Sequence, residues 1–350
     1  MKIKSVFLWG AAVLLSTSFM SKAAGGPPQG TPTMGGQPPM TEKEVISELK
    51  KDGPDQLLKD LQPRGVTFEM DQDTEKRLRK NKATDQVIQA VTQAGPKERE
   101  AATKALMASG GLVLSPAETS DFNALQAEQD PDKAIAEAEA YTQKYPKSDA
   151  LSYTFAMEAN AYENKGNPSK AVEFGEKSLQ LKKDNLMSLL IVAYMIPTPQ
   201  YINLHKSDED KQLDLADGYA QDAMKAVDAL KKGPTEQDAD FTKRKNNYLS
   251  NLHSDLGMIH LDRAQLGLMG IDQQELAKSQ QEYNTAVSLA DKPEANDYYR
   301  LGEVCRLQGK IDDAIAAFTK ASQVGQGVVK EYAQRQVQRL QEAKAQAGKH

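Results

Sequence analysis

The chain has 350 residues, of which 39% are hydrophobic, 27% are charged and only 6% are aromatic. This length suits roughly two domains of about 100 to 200 residues, and the composition excludes collagen-like, coiled-coil-only and multi-span membrane proteins. Ala, Leu, Gln, Glu and Lys are abundant and the formal net charge is −5, so the composition favours a soluble, all-α protein over a β-sandwich.

The N-terminal segment, residues 1–23, has the pattern of a secretory signal peptide. Lys2 and Lys4 precede an apolar run from Val6 to Leu15, and small residues follow up to Ala23. The run of about ten residues is too short to cross roughly 30 Å of hydrocarbon, which favours cleavage over retention as an anchor. We therefore expect an exported protein, periplasmic or secreted. Cleavage would remove three lysines and no acid, moving the formal charge from −5 to −8.

A tether and a small helical module are predicted next. Residues 24–40 are rich in Gly and Pro and lack apolar periodicity, which indicates a disordered tether. Helical signals begin at Thr41, which forms a capping-box pattern with Glu44. Capped amphipathic segments separated by Gly-Pro breaks predict short helices over residues 41–95, and a linking helix is predicted over residues 96–114.

One short basic run lies in this module, from Lys76 to Lys82. Acidic residues flank it at Asp71, Asp73, Glu75 and Asp85. A protein that binds duplex nucleic acid needs a concentrated basic face. The run is therefore interpreted as a solvated helix face of mixed charge, and no nucleic acid is expected as a partner; a DNA-binding helix-turn-helix is the disfavoured alternative.

The clearest internal pattern lies near the C-terminus and combines small, aromatic and turn residues at fixed spacing. Its positions are Tyr298, Leu301, Gly302, Gly309, Ala314, Phe318 and Ala321. The small residues let two helices approach closely, Gly309 closes a turn, and Tyr298 and Phe318 are expected to fill the space between hairpins. The segment resembles the tetratricopeptide repeat, a helical hairpin of about 34 residues.

Further units keep this spacing less completely. A second unit covers residues 152–185, with Gly175 where a large residue is usual, and degenerate units are expected over residues 115–148, 186–231 and 250–289. The last two carry insertions at 197–212 and 264–276, which either take part in recognition or are neutral loop growth. The resemblance thus implies an all-α solenoid of five tetratricopeptide-like hairpins over residues 115–330. A C-terminal capping helix and tail follow at 331–350.

Members of this family are typically adaptors whose first helices line a concave groove that binds a peptide or protein, and the resemblance implies that role here. Helical spacing puts seven residues on the groove face: Ala156, Asn160, Glu163, Asn164, Tyr299, Glu303 and Arg306. Asn side chains offer a donor and an acceptor to a peptide backbone, and Arg306 suits a carboxylate. We expect a non-catalytic scaffold in the bacterial cell envelope. A self-associating structural protein, and hence a homo-oligomer, is the alternative.

Sequence signals for catalysis, cofactors and metals are weak. His253 and His260 lie seven residues apart, about 10.5 Å along a helix, too far to ligate one metal ion. Cys305 is the only cysteine, lies among packing residues and has no partner for an intramolecular disulfide. Phosphate-binding glycine loops and hydrolase or zinc-protease motifs do not occur. No cofactor or metal is expected, and an enzyme site in residues 41–111 is the least favoured alternative.

Overall fold

A computed structural model describes the chain over residues 39–98, 100, 111–233, 236–266 and 270–347. The predicted signal peptide and most of the predicted tether and linking helix lie outside these residues. Within them the secondary structure is helical, and the only β-type pairing is an isolated bridge between Met40 and Val66. The all-α prediction is confirmed. The chain divides into two compact units between Thr154 and Phe155.

The first unit begins with four short helices: α1 (Glu42–Lys51), α2 (Gly53–Arg64), α3 (Gln72–Lys80) and α4 (Asp85–Gln93). The capping box at Thr41 forms, because its hydroxyl accepts from the Glu44 N–H while the Glu44 carboxylate accepts from the Thr41 N–H at 2.7 Å. Asp71 and Thr84 cap α3 and α4 through their side chains alone, which accept from the N–H groups of Thr74 and Val87. Such caps satisfy N–H groups that a first helical turn leaves unpaired.

The apolar faces of these four helices meet in one small core. Ten buried residues form it: Met40, Val45, Leu49, Leu57, Leu61, Val66, Leu78, Ala83, Val87 and Val91. The basic side chains of α3 point away from it into ion pairs, Arg77 with Glu42 at 2.6 Å and Arg79 with Glu75 and Asp85 at 2.7 Å. The basic run is therefore part of a mixed-charge surface.

A helical hairpin completes the first unit. It consists of α5 (Pro116–Ala127) and α6 (Pro131–Lys144). The rings of Phe122 and Tyr141 pack with centroids 5.8 Å apart, and the Tyr141 hydroxyl donates to the Glu118 carboxylate at 3.0 Å. This aromatic packing between two helices is what the degenerate repeat over 115–148 predicts.

The second unit is a succession of helices, the first of which begins just before the unit boundary. They are α7 (Leu151–Asn164), α8 (Pro168–Leu181), α9 (Leu186–Met195), α10 (Pro199–Ile202), α11 (Glu209–Asp228), α12 (Asp238–Leu266), α13 (Gln273–Leu289), α14 (Ala295–Leu307), α15 (Ile311–Val324) and α16 (Gly327–Ala347). From α8 onward each long helix packs against the next long helix, and α12 also packs against α9 and α14. Contacts with the next and next-but-one helix are those of stacked hairpins.

Two hairpins share one packing feature, a glycine on the first helix against a ring on the second. A Cβ on Gly302 would lie 2.8 Å from the Phe318 ring, and a Cβ on Gly257 would lie 2.9 Å from the Tyr283 ring. Both rings are buried. Because any side chain at the glycine would push the ring away, glycine sets how closely α12 approaches α13 and α14 approaches α15. Gly309 closes the second of these hairpins with φ of 74°, a conformation that favours glycine.

The structure corrects the role predicted for Tyr298. Its neighbour Tyr299 packs edge-on against Phe318, with ring centroids 5.2 Å apart. The Tyr298 ring instead lies under the Lys320 ammonium, 5.5 Å from its centroid. Adjacent residues on a helix point about 100° apart, so when Tyr299 packs against Phe318, Tyr298 points elsewhere.

The predicted insertions are largely helical in the described residues. Residues 197–212 contain α10, a 3₁₀ turn at Lys206–Asp208 and the start of α11. Residues 264–276 contain the end of α12, which has 29 residues against 13 in α14, and the start of α13. Tyr201 is buried and stacks on His205 at 4.3 Å. The described parts of both insertions are therefore partly helical, and Tyr201 adds packing, whereas α12 gains most of its extra length before residue 250.

Candidate partner-binding face

The predicted groove residues of α7 differ in exposure. Ala156 is completely buried, so it lies in the interior and lines no open surface, which corrects that prediction. Asn160 and Glu163 are half-buried and Asn164 is exposed. These three remain candidates for contact with a partner.

The predicted groove residues of α14 already have partners in the fold. Tyr299 belongs to the hairpin interior through Phe318. The Arg306 guanidinium donates to the Glu303 carboxylate at 2.9 Å, three residues earlier on the same helix. The other Glu303 oxygen is buried with no hydrogen-bond partner in the described part of the chain. The Arg306 guanidinium is therefore already paired with Glu303, and a ligand carboxylate would have to compete with that ion pair.

A group of carboxylates lies on the first helices of the second unit, and of its members only Glu163 was predicted to line the groove. We call it the inner carboxylate cluster: Glu163 of α7, Asp255 of α12 and Asp297 of α14. Asp255 and Asp297 are each only 6% exposed. Ser254 donates its hydroxyl proton to Asp297 at 2.5 Å. Asp255 and Glu163 form no hydrogen bond with any residue that the structure describes.

Burial controls the ionisation of the cluster. Desolvation raises the pKa of Asp255 well above its ordinary value, and the charges of Asp297 and Glu163 raise it further. Desolvation also raises the pKa of Glu163 to about 7. The pKa of Asp297 rises to about 6 for the same reason, although the hydrogen bond from Ser254 opposes the rise. A carboxylate buried beside other carboxylates is stabilised by a proton or a cation.

A tyrosine of α9 faces the same cluster. The pKa of Tyr194 is raised by burial and then by the charges of Asp255, Glu163 and Glu294. α12 packs against both α9 and α14, and the hydrogen bond from Ser254 to Asp297 joins α12 to α14 beside Asp255. The Glu163 charge of α7 acts on both Tyr194 and Asp255. Four first helices thus contribute polar groups to one face of the second unit.

The same face continues along α12. Asp262 lies seven residues after Asp255, which is two helical turns on the same side. Burial raises the pKa of Asp262 to about 6, while the Arg300 charge lowers it. The sequence contains a signal for this face. Asp255 directly precedes Leu256 and Gly257, which are both buried where α12 packs on its neighbours, so an acid at position 255 is expected to be buried as well.

The histidines of α12 serve a different contact. His253 Nδ1 lies 2.5 Å from the Glu282 carboxylate, and His260 Nδ1 lies 2.7 Å from the Glu275 carboxylate. Both glutamates belong to α13, so the pairs join the two helices. Among the described residues, no group of three or more His, Cys, Asp or Glu side chains is arranged to hold a metal ion.

Two further observations concern chemistry and membranes. Cys305 is buried, and the Gln280 amide N–H points at its sulfur from 3.6 Å. Burial raises the pKa of this thiol, which lowers its reactivity. In the described portion of the chain, no helix has both the length and the apolar composition for a bilayer crossing.

The tetratricopeptide repeat family model matches residues 153–185 and 298–324. These segments cover most of the hairpins α7/α8 and α14/α15, so two hairpins match the tetratricopeptide repeat at the places where the sequence pattern is clearest. In the first, Phe174 stacks on Tyr162 with centroids 5.4 Å apart and packs against Phe155 at 6.2 Å. The predicted repeat family is confirmed for these two units.

Solved structures of the same family resemble the chain at low identity. A thermophilic tetratricopeptide-repeat protein of Thermus thermophilus is 15% identical with a TM-score of 0.41, covering 63% of this chain and 98% of its own. The TPR2AB domain of yeast Sti1, in its complex with pHSP90, is 14% identical with a TM-score of 0.21, covering 85% of this chain and 95% of its own. No curated protein matches the sequence.

Proposed function

We propose that this protein is a non-catalytic scaffold or adaptor that binds a partner protein or peptide on the first-helix face of its second unit. One observation carries the proposal: polar side chains of α7, α9, α12 and α14 meet on one face, and several of them have no hydrogen-bond partner in the described residues. Buried polar groups in folded proteins normally form hydrogen bonds within the fold or with water. A bound chain would supply the missing partners.

We further propose that the protein acts in the bacterial cell envelope after export. The signal-peptide pattern of residues 1–23 supports this location. The partner is then another exported protein or the exposed segment of a membrane protein. A Gly- and Pro-rich tether at residues 24–40 would let the folded units reach such a partner.

The proposal is tested by affinity capture from envelope extract, with residues 24–350 as bait. Asn160→Tyr adds bulk to the half-buried first-helix face of α7, and Asn284→Tyr makes the same change on the exposed side of α13, a second helix. Mass spectrometry is expected to find a protein that the wild type and Asn284→Tyr retain and Asn160→Tyr loses. Equal retention by both variants would contradict the proposed face, and recovery of the bait alone would favour self-association.

A further inference from the structure

We propose that the inner carboxylate cluster of Glu163, Asp255 and Asp297 is a binding site for a cationic side chain, a lysine or arginine, of the partner. This inference depends on the proposed function, because it states the chemistry of the partner that the first-helix face would bind. It also goes beyond the predicted groove contacts, which pointed to a peptide backbone and to a ligand carboxylate.

The main observation is an acid that is buried without a partner. Asp255 is 94% buried, since 6% of it is exposed, and it forms no hydrogen bond with the described residues. The other groups that act on it by charge, Asp297 and Glu163, are both acidic. Leaving an ionised carboxylate buried and unpaired is strongly unfavourable. The cluster therefore has both the charge and the vacant acceptors for a cation.

Some other acids of the same unit are paired with arginines, and Asp255 differs from them. Arg244 forms a bidentate pair with Glu236 at 2.8 Å in the loop that precedes α12. Arg263 of α12 pairs with Asp217 at 2.8 Å and with Asp214 at 2.6 Å. The fold thus neutralises acids with arginines where it needs a structural contact, and it does not do so at Asp255.

The donor geometry of lysine and arginine suits this cluster better than a metal ion does. An ammonium has three N–H donors and a guanidinium has five, and each forms strong charge-assisted bonds to carboxylates. Asp255 and Asp297 are each only 6% exposed, and a low local dielectric strengthens such bonds. Within the described residues, no acidic group has the arrangement of a metal site.

The test uses trilysine, acetylated and amidated at its ends, as the probe in isothermal titration calorimetry with residues 24–350. Triglutamine with the same end groups is the uncharged control peptide. We expect trilysine to bind and triglutamine not to bind. We expect Asp255→Asn and Asp297→Asn each to weaken trilysine binding at least tenfold, and Asp313→Asn, an exposed acid of α15, to leave it unchanged. Equal affinity of wild type, Asp255→Asn and Asp313→Asn would overturn the proposal.

Proton release provides a second measurement that does not depend on a variant. A bound ammonium lowers the pKa of neighbouring carboxyls, so protons that Glu163 and Asp297 hold near pH 6 leave when trilysine binds at that pH. The binding enthalpy of the wild type is then expected to differ between Bis-Tris and phosphate buffers. The same enthalpy in both buffers would also overturn the proposal. Circular dichroism is the control that each Asn variant keeps its helical content.

The two proposals fail in different ways. If Asn160→Tyr loses a captured partner while trilysine does not bind, the cationic site is wrong and the scaffold remains. If trilysine binds and depends on Asp255, but Asn160→Tyr retains every captured protein, the cluster is a cation site and the proposed partner face is wrong.

Discussion

Asp255 is the residue at which stability and function compete. Its side chain is buried and has acidic neighbours, so ionisation raises the free energy of the folded state. A stability cost of this kind is common at functional sites. If the cluster binds a cation, this cost is recovered when the partner arrives. The same property gives a measurable pH dependence without any partner.

The stability of the free protein is expected to fall as pH rises from about 4 towards 7. The pKa values of Glu163 and Asp297 are about 7 and about 6 in the folded state, above their ordinary values near 4. The unfolded chain therefore binds fewer protons in this range, and the free energy of unfolding decreases with increasing pH. Below pH 4 both states are protonated and this contribution no longer changes with pH.

Asp255→Asn removes an ionisable group from the cluster while keeping its shape. We expect this variant to raise the free energy of unfolding by about 1 to 3 kcal/mol at pH 7.5, and to have a smaller effect at pH 5, where protons already neutralise the cluster. Thermal denaturation at the two pH values measures both effects, with Asp313→Asn as the exposed control. A lower stability of Asp255→Asn at pH 7.5 would contradict this reading of the residue.

At the scale of the helix, the hairpins depend on how closely two backbones approach. Gly302 and Gly257 occupy the same repeat position in different hairpins, and each lies against a buried ring of the second helix. The repeat pattern predicts this closeness, because the small residue and the aromatic residue recur at fixed spacing. It does not predict which of two adjacent tyrosines packs on Phe318, since that depends on the rotation of α14 about its axis.

Gly302→Ala is expected to destabilise the second unit by about 1 to 3 kcal/mol, because the new methyl group would lie 2.8 Å from the Phe318 ring. Gly218→Ala is the matched control: Gly218 is a helical, exposed residue of α11, and its Cβ would meet no atom within 4 Å. That substitution is expected to stabilise the protein by about 0.5 to 1 kcal/mol. Urea denaturation of the two variants distinguishes them. The same sign for both would contradict the packing described for Gly302.

Helix lengths were harder to predict than helix packing. The pattern around Tyr283 indicates about ten extra residues between two repeat positions, and a loop is the simplest interpretation. In the structure residues 264–266 end α12 and residues 273–276 begin α13. Asp272 caps α13 by accepting from the Gln274 and Glu275 N–H groups, which lets the helix begin inside the inserted sequence. Insertions in a helical repeat therefore need not form recognition loops.

At the scale of the whole molecule, repeat spacing predicts the fold class but not the candidate site. The inner carboxylate cluster joins side chains of α7, α12 and α14 that are far apart in sequence, and nothing local marks Glu163 and Asp297 as neighbours of Asp255. The groove prediction used one helix at a time, which is why it included the buried Ala156 and overlooked Asp255. Stacking of successive first helices brings the acids together, and stacking is a property of the assembled unit.

The most direct test of the central proposal is site-specific photocrosslinking in envelope extract. A photoreactive benzoylphenylalanine replaces Asn160 on the first helix α7 in one protein and Asn284 on the second helix α13 in another. Irradiation is expected to give a specific crosslinked product at position 160, and none at position 284. A product at position 284 alone, or equal products at both positions, would contradict a partner-binding face on the first helices.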